Sequence, residues 1–343
     1  MPTRIEKRLE PFFWRIIRRV TREDVVDLPQ LTPADLRDIK NYFPMEKFFL
    51  FGHERSGTAL LGRLIRTHPD VHCDWTGHFF THSPTFLELF RDPKLMEKFY
   101  DPNFRWNEGR DSRSLVLRAL IDFLMEKNAI KLGKKIVGDK SPNTYANDQA
   151  IRYMNAVYPD GKLIYIIRDG RDVLISQRFR EFIEFPERLK HADRKIRSDY
   201  IRNPDPFFEN RRSLFTRAGI ERRTKIWERN VRLSIMAGRE LLSDRFHTLR
   251  FEDLLASPDE EVGKIWEFLG VDPSGMADAI QAEMRINPVV SWQAKKNVEQ
   301  LKTVSKGKKG SWRELFTPYD RKVFKNLAAD LLIQFRYESD DAW

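Results

Sequence analysis

The chain has 343 residues, a formal net charge of +10 and 41% hydrophobic residues. That length suits one large α/β domain or two smaller ones, and no apolar run approaches the ~18 residues of a membrane-spanning helix. A single cysteine, Cys73, excludes an internal disulfide framework and a cysteine-based zinc site; with charged residues following Met1-Pro2-Thr3-Arg4 in place of a secretory leader, the expectation is a cytoplasmic protein. The positive charge is uneven: residues 178–232 hold 16 Lys and Arg against 9 Asp and Glu, which suits either an anionic partner or a solvated helical surface.

Residues 1–45 are expected to form an N-terminal helical extension. Phe12, Phe13, Ile16, Ile17 and Val20 share one helical face and Arg15, Arg18 and Arg19 the other, so residues 12–20 suit packing on the chain's own domain or contact with a membrane surface. Thr32-Pro33-Ala34-Asp35 has the composition of a capped helix start.

The main domain is expected over 46–343. Its first strand is the apolar run Phe48-Phe49-Leu50-Phe51, followed by the loop Gly52-His53-Glu54-Arg55-Ser56-Gly57-Thr58 and by Ala59, Leu60, Leu61, Leu64 and Ile65 at helical spacing. A strand, a glycine-bounded loop and a helix make either an anion cradle or an ordinary corner; in the first case the free N–H groups and dipole of the new helix face the anion. The loop departs from the triphosphate pattern G-x-x-x-x-G-K-S/T, since Gly57 is followed by Thr58 and Ala59 and the cation sits upstream at Arg55. This argues against ATP or GTP hydrolysis and for one phosphate held by Arg55, Ser56, Thr58 and backbone N–H groups.

Further along, Val71-His72-Cys73 reads as a short second strand and Asp74 to His78 as a turn at the rim of the site. Leu115–Ile130 is an amphipathic helix. Lys134–Gly138 is a third strand ending in Asp139-Lys140-Ser141-Pro142-Asn143. Leu163–Ile167, apolar throughout, reads as a strand buried on both faces. Arg168 stands at its end, Ser176 about two turns into the next helix and Arg180 one turn further, so that Ser176 and Arg180 share a face. Two guanidinium groups and a hydroxyl suit a phosphate monoester. The basic stretch 178–232 is mostly helical; Thr224–Leu242 is one long helix, His247–Phe251 a fifth strand, and Ser305 to Trp312 a polar loop before a last helix over Pro318–Phe335. Strands alternating with helices predict a parallel central sheet flanked by helices, with the ligand at the strands' C-terminal ends.

Arg55-Ser56-Gly57-Thr58-Ala59, Arg168 with Ser176 eight positions later, Phe251-Glu252-Asp253-Leu254 and Ser305-Lys306-Gly307-Lys308-Lys309-Gly310-Ser311-Trp312-Arg313 occur in that order. The sequence thereby resembles the sulfotransferases that use 3′-phosphoadenosine 5′-phosphosulfate (PAPS) and release adenosine 3′,5′-bisphosphate (PAP). In them a K/R-S-G-T-T/S loop binds the 5′-phosphosulfate, an Arg and a Ser eight apart bind the 3′-phosphate, and a late R-K-G-x-x-G-D-W-K motif follows. The resemblance implies a P-loop-like nucleotide-binding fold and sulfuryl transfer to an acceptor hydroxyl, or an amine, of a small molecule, glycan or lipid. It implies that Arg55, Ser56, Gly57, Thr58, Ala59, Arg168, Ser176, Arg180, Lys306 and Gly307 bind the cofactor, that Arg55 and Lys140 act on the transferring group, and that neither a metal nor nucleic acid is needed. The cytosolic branch takes its base from a K-T/S-H triplet; here Lys140-Ser141-Pro142 lacks the histidine. Tyrosylprotein sulfotransferases use a glutamate where this chain has Thr76, which leaves His78 or Asp74 as the candidate base. Trp227 stays open between adenine contact and core, as do Trp75, Phe79 and Phe80 between acceptor pocket and core. The alternatives are a basic nucleic-acid-binding protein and a sulfotransferase-like protein that binds without catalysis.

Overall fold

The computed structural model describes residues 28–82, 85–91, 94, 111–145, 147–286, 310–340 and 342–343, with only the backbone at 74, 75 and 91. Five strands, β1 (Glu46–Gly52), β2 (Val71–Trp75), β3 (Ile136–Lys140), β4 (Lys162–Ile167) and β5 (Phe246–Arg250), form one sheet in the order β2-β3-β1-β4-β5. Every pairing is parallel. β1 lies at the centre, and six of its seven residues are buried. The third strand begins and ends two residues later than the apolar pattern suggested, because Asp139 and Lys140 continue the ladder opposite Phe49 and Leu50.

The period of two in side-chain direction divides the core. Phe48, Leu50, Ile136, Ile164, Ile166 and Leu249 face one cluster; Phe49, Phe51, Val137, Leu163, Tyr165 and Ile167 face the other. The first face is covered by α2 (Thr58–Ile65), α9 (Pro258–Leu269) and α10 (Ala277–Arg285). The second is covered by α3 (Arg113–Ala129), α4 (Gln149–Val157), α5 (Gly170–Glu184), α7 (Arg217–Leu242) and α11 (Pro318–Gln334). The remaining longer helices are α1 (Pro33–Tyr42), α6 (His191–Arg202) and α8 (Phe251–Ala256). Phe79, Phe80 and Trp227 are core residues; Trp227 packs beside Phe324, with ring centroids 5.5 Å apart.

Local chemistry sets the helix ends. Thr32 and Thr317 each form a capping box with an aspartate three residues on, Asp35 and Asp320, and each is followed by proline at the first helical position. α7 starts two turns before Thr224 because Thr216 caps it through Gly219 N. No helix among the described residues is long and apolar enough to cross a membrane. The basic amphipathic helix expected over residues 12–20 lies outside the described residues, as does most of the loop from Ser305.

Candidate active site

Parallel pairing brings the C-terminal ends of β1, β3 and β4 to one edge of the sheet, and the loops leaving them meet there. A cleft of about 1360 Å³ opens above that edge. Among the described residues its walls carry ten Lys or Arg side chains and four carboxylates. The cleft therefore favours an anionic occupant.

The loop after β1 is shaped for close approach. Arg55 has φ 74° and Gly57 φ 102°, both left-handed. A Cβ at Gly57 would lie 2.3 Å from the Phe251 ring, so the position admits only glycine without a shift of that ring. Gly57 caps α2 with no side-chain hydrogen bond to the first turn. The leading N–H groups of α2 thus face the cleft, which Gly57, Thr58, Ala59 and Leu60 line.

The β4 loop and α5 join the β1 loop directly. Arg55 Nε donates to Ser176 Oγ at 3.1 Å. Arg168, at the mouth of β4, donates from Nη1 to the Arg55 carbonyl at 3.1 Å, and its guanidinium sits 4.8 Å from the Phe251 ring centroid. The two motifs, 113 residues apart in the chain, are one constellation. Two of its buried polar atoms, Ser56 Oγ and Arg168 Nε, have no hydrogen-bond partner. Such groups are costly to leave unpaired, and both suit an anionic ligand. Burial, and then the charge of Arg180, pushes the Arg55 guanidinium below its ordinary value, as expected of cations gathered to receive a counter-ion. Arg180 lines the same cleft but is engaged by Glu54 and, at 2.8 Å, by Glu184.

Lys140, the last residue of β3, reaches the cleft wall with His78, Thr76 and His82. His78 is half-buried with φ 48°; its Nδ1 is hydrogen-bonded to Thr81 Oγ1 at 2.9 Å, and its ring lies 5.4 Å from that of His82. Desolvation lowers its pKa below the ordinary imidazole value, and the charges of His82 and Lys140 act in the same direction. The lowered value favours the neutral imidazole, the form that can accept a proton. The backbone of Asp74 lies in β2, and its side chain is outside the described residues, as are Lys306 and Gly307. The described end of that late loop is tied beside the Arg168 element: Asp172 accepts from Gly310 N at 2.7 Å and from Trp312 N at 3.1 Å.

Sequence reasoning passed over three features. Glu54 restrains Arg180. His82 stands beside His78. Phe251 carries the Arg168 guanidinium and walls in Gly57. The basic stretch is partly self-neutralised: Arg178 binds Asp193 at 2.6 Å and Arg223 binds Glu181 at 2.8 Å. Arg188, Lys190 and Arg222 line the cleft. No group of three or more His, Cys, Asp or Glu side chains among the described residues is arranged to hold a metal.

Several known proteins resemble this chain. Nodulation protein NoeE of Sinorhizobium fredii is 23% identical over 294 residues, covering 84% of this chain and 65% of NoeE. Protein-tyrosine sulfotransferase A of Caenorhabditis elegans is 29% identical over 132 residues, covering 37% of this chain and 32% of that protein. The chain spans less than two thirds of the length of these relatives. Among solved structures, mouse sulfotransferase SULT7A1 complexed with PAP aligns with 86% of this chain and 88% of its own, at 17% identity and a TM-score of 0.43. The family model described as the sulfotransferase domain matches residues 45–336, a span holding all five strands and the Arg55, Lys140 and Arg168 loops. On that match the chain belongs to the sulfotransferase domain family.

Proposed function

We propose that the chain transfers a sulfuryl group from PAPS to an acceptor hydroxyl, or to an amine. The observation that carries this reading is the junction of two anion-binding elements through Arg55 Nε–Ser176 Oγ and Arg168 Nη1–Arg55 O, each 3.1 Å. A donor with phosphates at both the 5′ and 3′ positions needs two such elements at fixed separation. The missing lysine after Gly57 disfavours a triphosphate. Relatives named as protein-tyrosine sulfotransferases support the reaction class.

In this reading Arg55, Ser56, Gly57, Thr58 and Ala59 hold the 5′-phosphosulfate, and Arg168 and Ser176 hold the 3′-phosphate. Arg180 assists once released from Glu54, and Lys306 and Gly307, outside the described residues, are assigned to the cofactor by family resemblance alone. The donor supplies an activated sulfuryl group, and transfer of such a group resembles loose, in-line phosphoryl transfer, helped chiefly by positioning and fixed charge. Arg55 offsets charge developing on the leaving phosphate, and the α2 N–H groups act as preorganised donors. Lys140 stabilises the moving group. His78 takes the acceptor proton, with its Nδ1 occupied by Thr81 and Nε2 left to the substrate side; Asp74 is the alternative base. The acceptor is a small molecule, glycan or lipid bound along the wall of Phe185, Arg188, Lys190 and Arg222. The test is release of labelled sulfate from PAPS, with water as acceptor, by the wild type and by Lys140→Ala. Loss of one positioned cation should lower turnover by about 10²-fold while PAP still binds. Equal rates in the two proteins would remove Lys140 from the chemistry.

A further inference from the structure

Asp139 is fully buried on an interior strand, paired in register with Phe49 of β1 and Trp75 of β2. A carboxylate in that position is costly unless its oxygens are satisfied. Each oxygen has one donor: Gly77 N at 2.7 Å to Oδ1, and Ser141 Oγ at 2.6 Å to Oδ2. Ser141, also fully buried, accepts in turn from His78 N at 2.9 Å. The consecutive amides of Gly77 and His78 are therefore gripped by one buried carboxylate, directly in the first case and through a hydroxyl in the second. His78 needs such a grip. Its φ of 48° is left-handed, an unfavourable conformation for a residue with a Cβ.

We propose that Asp139 is a positioning residue for His78, acting through Ser141 and the Gly77 amide to hold the left-handed turn that sets the imidazole on the cleft wall shared with Lys140. The arrangement explains why a carboxylate sits inside the end of an apolar strand: residues 139 and 141 are two apart in extended chain, so both side chains point to the side from which the 77–78 turn approaches. The groups facing the imidazole are Lys140, His82 and Thr81, with Asp139 one hydroxyl removed. Desolvation holds the Asp139 carboxyl up at about 6, and the two donors are what keep an acceptor oxygen available on each side of it. The inference rests on the reading of His78 as base.

The test uses the full chain with PAP bound and histidine labelled for NMR, the His78 ring signal being assigned through His78→Gln. In Ser141→Ala the His78 titration midpoint should move up toward the ordinary imidazole range as the ring gains solvent. Amide exchange at Gly77 and His78 should speed by about tenfold or more as the turn opens locally. Ser141→Thr, which keeps the hydroxyl, should restore both, a rescue that simple loss of packing would not show. Asp139→Asn should move both readouts the same way and serves if Ser141→Ala does not fold. Unchanged titration and exchange in folded Ser141→Ala would overturn the proposal. Sulfate release unaffected by His78→Gln would instead defeat the base assignment while leaving the clamp intact, so the two failures are distinguishable.

Discussion

Arg55 Nε and Ser176 Oγ, 121 residues apart in the chain, lie 3.1 Å apart in the folded protein. The contact crosses from the β1 loop to the middle of α5 and couples the two elements proposed to bind the donor's phosphates. Removing either partner therefore disturbs both. Arg168→Ala should weaken PAP binding by about 1.5–3 kcal/mol, the usual range for a hydrogen bond to a charged group. Ser176→Ala should weaken it less, because Arg55 keeps its backbone position. Calorimetric titration with PAP checks both, and affinity unchanged in Arg168→Ala would refute the 3′-phosphate assignment.

Gly57 meets Phe251 with no room for a methyl group, since a Cβ would lie 2.3 Å from the ring. Gly57 also has φ 102°. Gly57→Ala should destabilise the fold by about 1–3 kcal/mol from backbone strain and overpacking together. Adding Phe251→Ala should relieve the clash but not the strain. A denaturant series on the two single variants and the double variant measures this coupling; additive losses would mean that the ring is not the obstacle.

The buried His53 and Asp139 should give opposite pH signatures. Desolvation lowers His53 from 6.5 to about 4. A depressed imidazole contributes stability that is present above the unfolded value and lost as pH falls toward 4. Desolvation raises Asp139 from 3.8 to about 6, so its contribution is present below 3.8 and lost as pH rises through 6. At roughly 1.4 kcal/mol per pKa unit, each amounts to about 3 kcal/mol at most. The two nearly cancel in the wild type between pH 4 and 6. Relative to the wild type, His53→Gln should gain stability as pH falls through this window, and Asp139→Asn should gain it as pH rises. Urea unfolding at pH 4, 5 and 6 reads the signs, and parallel curves for all three proteins would contradict both assignments.

The five strands and their parallel arrangement were legible because apolar runs bounded by glycine and charge have few other readings. Strand ends were less so: Asp139 and Lys140 look like loop residues in sequence, yet they complete the ladder opposite β1. That Arg55, Arg168 and Ser176 stand on loops meeting at one edge of the sheet was legible from loop and helix spacing. The partners of those residues were not. Glu54 on Arg180, Phe251 against Gly57 and Arg168, and the Asp139–Ser141 grip on His78 depend on contacts between segments 60 to 200 residues apart, which one sequence does not encode locally.

The proposed two-phosphate clamp, formed by the Arg55 and Arg168 elements together, is tested most directly by comparing PAP with ATP in a binding titration of the wild-type protein. The clamp predicts that PAP binds at least about tenfold more tightly, the value of one charged hydrogen bond gained at the 3′-phosphate, and that Arg168→Ala removes the preference. Tight binding of ATP with none of PAP would contradict it.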